Sequence, residues 1–118
     1  MFDCAFSTLS TFLPFHFVGK PVTRSGNRHV LASPWNAYRA GDGWLLVCTG
    51  ADEQWKRLCE VIGRPELGGD PKLARAQDRI EHRSLVDGAV QDWIAPLQAA
   101  GAAEALQARG IAAGPVVP

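Results

Sequence analysis

The sequence predicts an α+β fold: a short antiparallel sheet packed with helices. Three observations carry this. A hairpin pattern occupies residues 35–48, amphipathic helical patterns follow from Thr49 to Ala108, and the chain closes on an extended apolar stretch from Ile111 to Pro118. The 118 residues fit one domain, long enough to build a core without metal or disulfide staples.

The elements follow in order. Phe2, Phe6, Leu9 and Leu13 form one stripe of a helix over residues 1–18, with Phe12, Phe15 and Phe17 close by. Pro14 bends or ends that helix. The stripe is a packing face whose partner surface need not lie in this chain. This segment is not a signal peptide, because Asp3 precedes any cation and the first Lys or Arg is Lys20. Ser7, Thr8, Ser10, Thr11, Pro14 and His16 also interrupt it too often for a membrane span. Residues 19–34, GKPVTRSGNRHVLASP, read as a long ordered loop. Residues 35–118 are expected to form the small α+β domain itself.

The hairpin turns at Ala40-Gly41-Asp42-Gly43. Its second arm, Trp44 to Cys48, is apolar at every position, so it is expected to be covered on both faces. A helix follows, capped by Thr49 with Asp52 three residues on. Trp55, Leu58, Cys59 and Ile62 form its buried stripe, and Gly63 and Pro65 stop it. Trp55 is expected in the core rather than under a ligand. Residues 68–79 form a polar connection in which Asp70 caps a short turn begun by Pro71. The longest helical pattern runs from Ile80 to Leu97. Leu85, Val86, Ala89, Trp93 and Leu97 share its inner face, while Glu81, Arg83, Asp87 and Gln91 face away. A short alanine-rich helix over Ala102–Ala108 stops at Gly110.

Composition excludes more than it assigns. Twelve Lys and Arg balance twelve Asp and Glu, which removes the electrostatic case for nucleic acid or an anionic membrane. Cys4, Cys48 and Cys59 form no CxxC pair, and His16, His29 and His82 are scattered, so no metal site or bound cofactor is indicated. The cysteines read as small buried hydrophobes of a cytoplasmic protein. No GxSxG elbow or Walker loop occurs. Gly41-Asp42-Gly43 precedes a strand rather than a helix, which rules out a phosphate cradle. Asp42 has a turn role, and Asp52 and Glu53 sit where a helix dipole favours carboxylates without any catalysis. Arg24 and Arg28 flank Gly26-Asn27 beside His29, a basic loop suited either to an anionic ligand or to plain solvation.

Taken together and in order, these segments resemble the family III CoA-transferases of the CaiB/BaiF type. Met1-Phe2-Asp3-Cys4-Ala5-Phe6 resembles the family's "VDVSL" helix start. Arg24 to His29 resembles its "R-x-G-N-x-H" loop, and Ser33-Pro34 with Tyr38 the "aP-x-x-x-Y" that follows. Asp42-Gly43, Gln54-Trp55 with Leu58-Cys59, and Asp70-Pro71 with Arg79 and Leu85 resemble the next motifs, although Leu73 stands where Phe or Tyr is usual. Gly110 to Val116 resembles the "G-V/I-P-x-x-P-V" exit.

The resemblance implies the small domain of the family fold, preceded by a linker helix. The family's large CoA-binding domain and its nucleophilic aspartate have no match in these residues, and Asp3 is not that aspartate. No catalytic residue is therefore assigned, and the chain alone is expected to be inactive. CoA thioester is the substrate of the full-length family rather than a cofactor. Gly26, Asn27, Arg28 and His29 are implied as a substrate-facing loop. Residues 28–34 occupy the place of a glycine-rich loop in formyl-CoA:oxalate relatives but lack its glycines. Asp52 stands near an acidic site residue of α-methylacyl-CoA racemase relatives. The expected partners are a separate large CoA-binding domain, or a second copy joined through the N-terminal helix as a homodimer or larger assembly. Two other readings stay open: a non-catalytic interaction module that kept the fold, and a fragment of an acyl-CoA racemase.

Overall fold

A computed structural model describes residues 2–9, 13–19 and 23–117. Strands β1 (Trp35–Arg39), β2 (Trp44–Cys48) and β3 (Ala112–Val116) form a three-stranded sheet in the order β1-β2-β3, antiparallel throughout. β1 and β2 are the expected hairpin, closed by the Ala40 N–H donating to the Gly43 carbonyl at 2.9 Å. β3 returns along β2 after all the intervening helices. Its Pro115 is tolerated because β3 is an edge strand.

The α+β architecture read from the sequence is thus the observed one. The helices after β2 are α3 (Asp52–Val61), α4 (Pro65–Gly68), α5 (Ala76–Glu81), α6 (Arg83–Ile94) and α7 (Ala99–Gln107), with a 3-10 turn at Pro71–Leu73. Trp55, Leu58 and Cys59 of α3, Val86, Val90 and Ile94 of α6, and Leu106 of α7 are fully buried with Tyr38, Leu45 and Val47 of the sheet. Gly63 and Gly110 end their helices at φ +71°, a conformation open to glycine at little cost. Asp70 caps the 3-10 turn as expected, its side chain accepting from the Lys72 N–H at 2.9 Å.

Several expectations are corrected. β2 is covered on one face only: Leu45 and Val47 are buried, whereas Trp44 and Leu46 are 42% and 39% exposed. The helices that pack on the sheet meet the Leu45/Val47 side, so the apolar run reflects an open face rather than a sandwiched strand. Thr49 does not cap α3. Its hydroxyl donates to the Pro34 carbonyl at 2.5 Å, Ala51 takes the capping position, and the Gln54 side-chain oxygen accepts from the Gly50 and Ala51 N–H groups.

The long helix expected over 80–97 breaks at His82. α6 then follows the Val86/Val90/Ile94 stripe, which leaves Leu85 exposed and turns Asp87 inward. Asp87 tolerates burial because β1 and the preceding loop supply donors to it. Of the cysteines only Cys59 is buried; Cys4 is exposed and Cys48 partly exposed.

At the N-terminus the stripe divides between α1 (Phe2–Ser7) and α2 (Leu13–Phe17). Pro14 lies in the first turn of α2, where its missing N–H costs nothing, so it opens a helix instead of ending one. Phe12 lies outside the described residues. Among the described residues, no helix is long and apolar enough to cross a membrane.

Candidate functional site

Antiparallel pairing fixes which side chains share the open face, because directly paired residues point to the same side. Three rows result: Trp35, Cys48 and Ala112; Ala37, Leu46 and Gly114; Arg39, Trp44 and Val116. The Arg39 guanidinium lies over the Trp44 ring, 5.4 Å from its centroid, in line with their direct pairing. Ala37, Trp44, Leu46 and Val116 line an open groove of about 420 Å³, together with Asn27 from the preceding loop.

The loop resembling "R-x-G-N-x-H" therefore comes to this face. Gly26 adopts φ +65°, which turns the chain at Asn27. Asn27 lines the groove. Arg28 turns the other way, its Nε donating to Asp87 Oδ2 at 2.7 Å. The His29 ring stacks on Trp35 with centroids 4.5 Å apart and planes 20° off parallel. His29 Nδ1 accepts from the Leu31 N–H at 3.2 Å, so the neutral ring carries its proton on Nε2.

Asp52 is not in the groove. It sits near the base of the loop, where its Oδ1 accepts from Arg79 at 2.7 Å. Arg79 is the best-enclosed charge of the described structure. It is 1% exposed, while the Asp52 side chain remains 51% exposed. Its Nε donates to the Ser33 carbonyl at 2.8 Å, and its Nη1 donates to the carbonyls of Leu73 and Ala74 at 3.0 and 3.1 Å. One buried cation thus ties together the loop base, the 3-10 turn and the start of α3. Asp42 likewise exceeds its expected turn role, because its Oδ1 accepts from the Ala99 N–H at 2.8 Å and caps α7 from across the fold.

The sequence reading missed Asp87 and Arg83 by placing both on an outward face. Asp87 is buried and accepts from the Tyr38 hydroxyl at 2.8 Å as well as from Arg28. Burial, and then the Asp87 charge and hydrogen bond, push the Tyr38 phenol well above its ordinary value, so it stays a neutral donor. Arg83 donates to the carbonyls of His29 and Val30, both at 3.3 Å. The available signal was spacing: Arg79, Arg83 and Asp87 recur every four residues.

Asn27, Ala37, Trp44, Leu46 and Val116 include no titratable side chain, so the groove is equipped to bind and orient rather than to transfer protons. Among the described residues, no cluster of three or more His, Cys, Asp and Glu side chains is arranged to hold a metal ion.

Comparison with known proteins identifies the lineage. The sequence profile of CoA-transferase family III matches residues 1–118. The chain is 30% identical to the acetyl-CoA:oxalate CoA-transferase of Acetobacter aceti over 118 residues, which is 99% of this chain and 30% of that enzyme. It is 33% identical over 98 residues to the succinyl-CoA:mesaconate CoA-transferase of Haloarcula hispanica, covering 83% of this chain and 24% of that one. In fold it superposes on a CaiB/BaiF family protein from Brucella suis with a TM-score of 0.80 and 24% identity, covering 99% of this chain and 31% of the other. The chain thus spans less than a third of the length of these relatives. With its profile matched from end to end, the chain belongs to CoA-transferase family III.

Proposed function

We propose that this chain forms one wall of an acyl-CoA site in CoA transfer between carboxylic acids, the remainder being supplied by a large CoA-binding domain. One observation carries the reading: an uncovered apolar sheet face is edged by Asn27 of the family-like loop. The relatives, about three times longer, give that face something to meet. The groove offers an apolar floor and an amide edge, which suits an acyl or pantetheine-like chain. Transfer needs a carboxylate nucleophile converging with the bound thioester, and the groove-lining residues include none. The 118 residues alone are therefore expected not to turn over.

The test is a chimaera in which these residues replace the matched segment of the Acetobacter enzyme. It is assayed with acetyl-CoA and oxalate, beside the isolated chain. In parallel, acetyl-CoA is titrated into the isolated chain while the Trp44 indole resonance is followed. Oxalate-dependent transfer by the chimaera alone, with a Trp44 shift on titration, is the expected result. Turnover by the isolated chain, or a folded but inactive chimaera, overturns the reading.

The N-terminal arm favours self-association as a further property of the chain. α1 buries no residue, and Phe2 is 83% exposed. Burying each such ring is worth about 1.5–3 kcal/mol, enough in combination to drive pairing of two copies or docking on a larger domain. Light scattering should therefore show a concentration-dependent dimer that Phe2→Ser/Phe6→Ser weakens. A strict monomer at high concentration excludes self-pairing.

A further inference from the structure

The segment from Arg28 to Ser33 has few bonds of its own. The Arg28 N–H reaches the Ser25 carbonyl at 3.4 Å, the His29 N–H the Trp35 carbonyl at 2.9 Å, and the Leu31 N–H the His29 Nδ1. What holds it otherwise is a run of charged side chains from α5 and α6. Arg79 takes the Ser33 carbonyl, Arg83 takes the carbonyls of His29 and Val30, and Asp87 takes the Arg28 side chain. These are charge-assisted bonds, roughly twice as strong as neutral ones. The helix run therefore grips the segment at three successive points.

Asp87 is the one of the three that also bonds to the sheet. It is buried, and both its oxygens are occupied: Oδ1 by the Tyr38 hydroxyl of β1 and Oδ2 by Arg28 Nε. Through Tyr38 it is referenced to the sheet, and through Arg28 to the loop. The two neighbours of Arg28 are the residues that reach the open face, Asn27 into the groove and His29 onto Trp35. A side chain anchored to the sheet thus sets where those two residues lie over that same sheet.

Resting on the reading of the groove as an acyl-CoA wall, we infer that Asp87 is a positioning residue that fixes Asn27 and His29 over the groove, so that residues 26–33 act as a fixed wall and not as a moving lid. The charge matters as well as the shape. An uncharged amide at 87 keeps an acceptor for Tyr38 but gives up the charge-assisted bond to Arg28.

The test uses the purified chain with Asp87→Asn and Arg28→Met. The second variant cuts the same bond from its solvent side, where the Arg28 side chain is 47% exposed, and keeps Asp87 with its Tyr38 bond in place. Two signals are read: the ring-current displacement of the His29 ring protons caused by Trp35, and amide exchange at His29 relative to amides of α3. Both variants are expected to reduce the ring-current displacement and to speed His29 exchange about tenfold against α3, while unfolding remains cooperative. A fold-wide role alone would change α3 and His29 together. A folded Arg28→Met protein with its His29 ring shifts and exchange unchanged overturns the inference, whether or not Asp87→Asn folds. The acetyl-CoA titration reads Trp44, so its failure would remove the ligand while the positioning result stands on its own.

Discussion

Replacing Arg79 by Met keeps the buried stem and removes the cation. Four hydrogen bonds are lost, three to backbone carbonyls and one to Asp52. Their weights differ. Asp52 is half exposed and recovers hydration when the guanidinium goes, so its share is small. The carbonyls of Ser33 and Leu73 accept at buried positions, and an orphaned buried acceptor costs about 1–3 kcal/mol. The Ala74 bond is only partly buried and adds less. The total expected for Arg79→Met is about 3–5 kcal/mol, the usual range for removing one partner of a buried charge. With a urea slope of about 2 kcal/mol per molar, that lowers the midpoint by about 2 M, a large part of the stability of a small domain. Arg79→Lys should lose most of the same amount, because one ammonium cannot reach carbonyls in two directions and a carboxylate as well. Asp52→Asn should cost under about 1 kcal/mol. Urea unfolding followed by tryptophan fluorescence measures all three. If Arg79→Met moves the midpoint by less than about 0.5 M, or if Asp52→Asn costs as much as Arg79→Met, the cation is not acting as a clamp on backbone carbonyls.

Trp55→Ala should cost about 3–5 kcal/mol because the ring is fully buried. Trp55→Phe should cost much less, since the indole N–H has no acceptor among the described residues; a variant Trp55→Ala melting within a few degrees of the parent would refute the core assignment. Stability should also fall at alkaline pH. Burial, aided by Glu66, pushes the Cys59 thiol from 9.0 up to about 12. The unfolded chain therefore loses this proton near pH 9 while the folded chain keeps it, so stability is full below pH 9 and declines toward pH 12. The slope is about 1.4 kcal/mol per pH unit for one proton, with Tyr38 contributing in the same direction above pH 10. Urea midpoints between pH 8 and 10 should fall less steeply for Cys59→Ala than for the parent; equal slopes would remove Cys59 from the account.

Local chemistry in the sequence determined most of the element plan. The Asp42-Gly43 turn, the Gly63 and Gly110 stops, the Asp70-Pro71 cap and the Trp55/Leu58/Cys59 stripe act through contacts within a few residues, so the order of letters carries them. The family followed from several such motifs in register along one chain. Tertiary structure decided which face each ambiguous residue took. An unbroken apolar run at Trp44–Cys48 has the same pattern whether one face is covered or two, and only the placement of the helices leaves Trp44 and Leu46 open. Asp87 looks like a solvated helix residue until Tyr38 and Arg28, many residues away, supply its donors. The Thr49 hydroxyl had two acceptable uses, and the proximity of Pro34 selected the one that does not cap a helix. The candidate site was legible as a loop, Gly26 to His29, but not as a surface. A buried polar group goes where its partner is, and Asp87 meets Tyr38 and Arg28, and Arg79 meets Ser33, only in space.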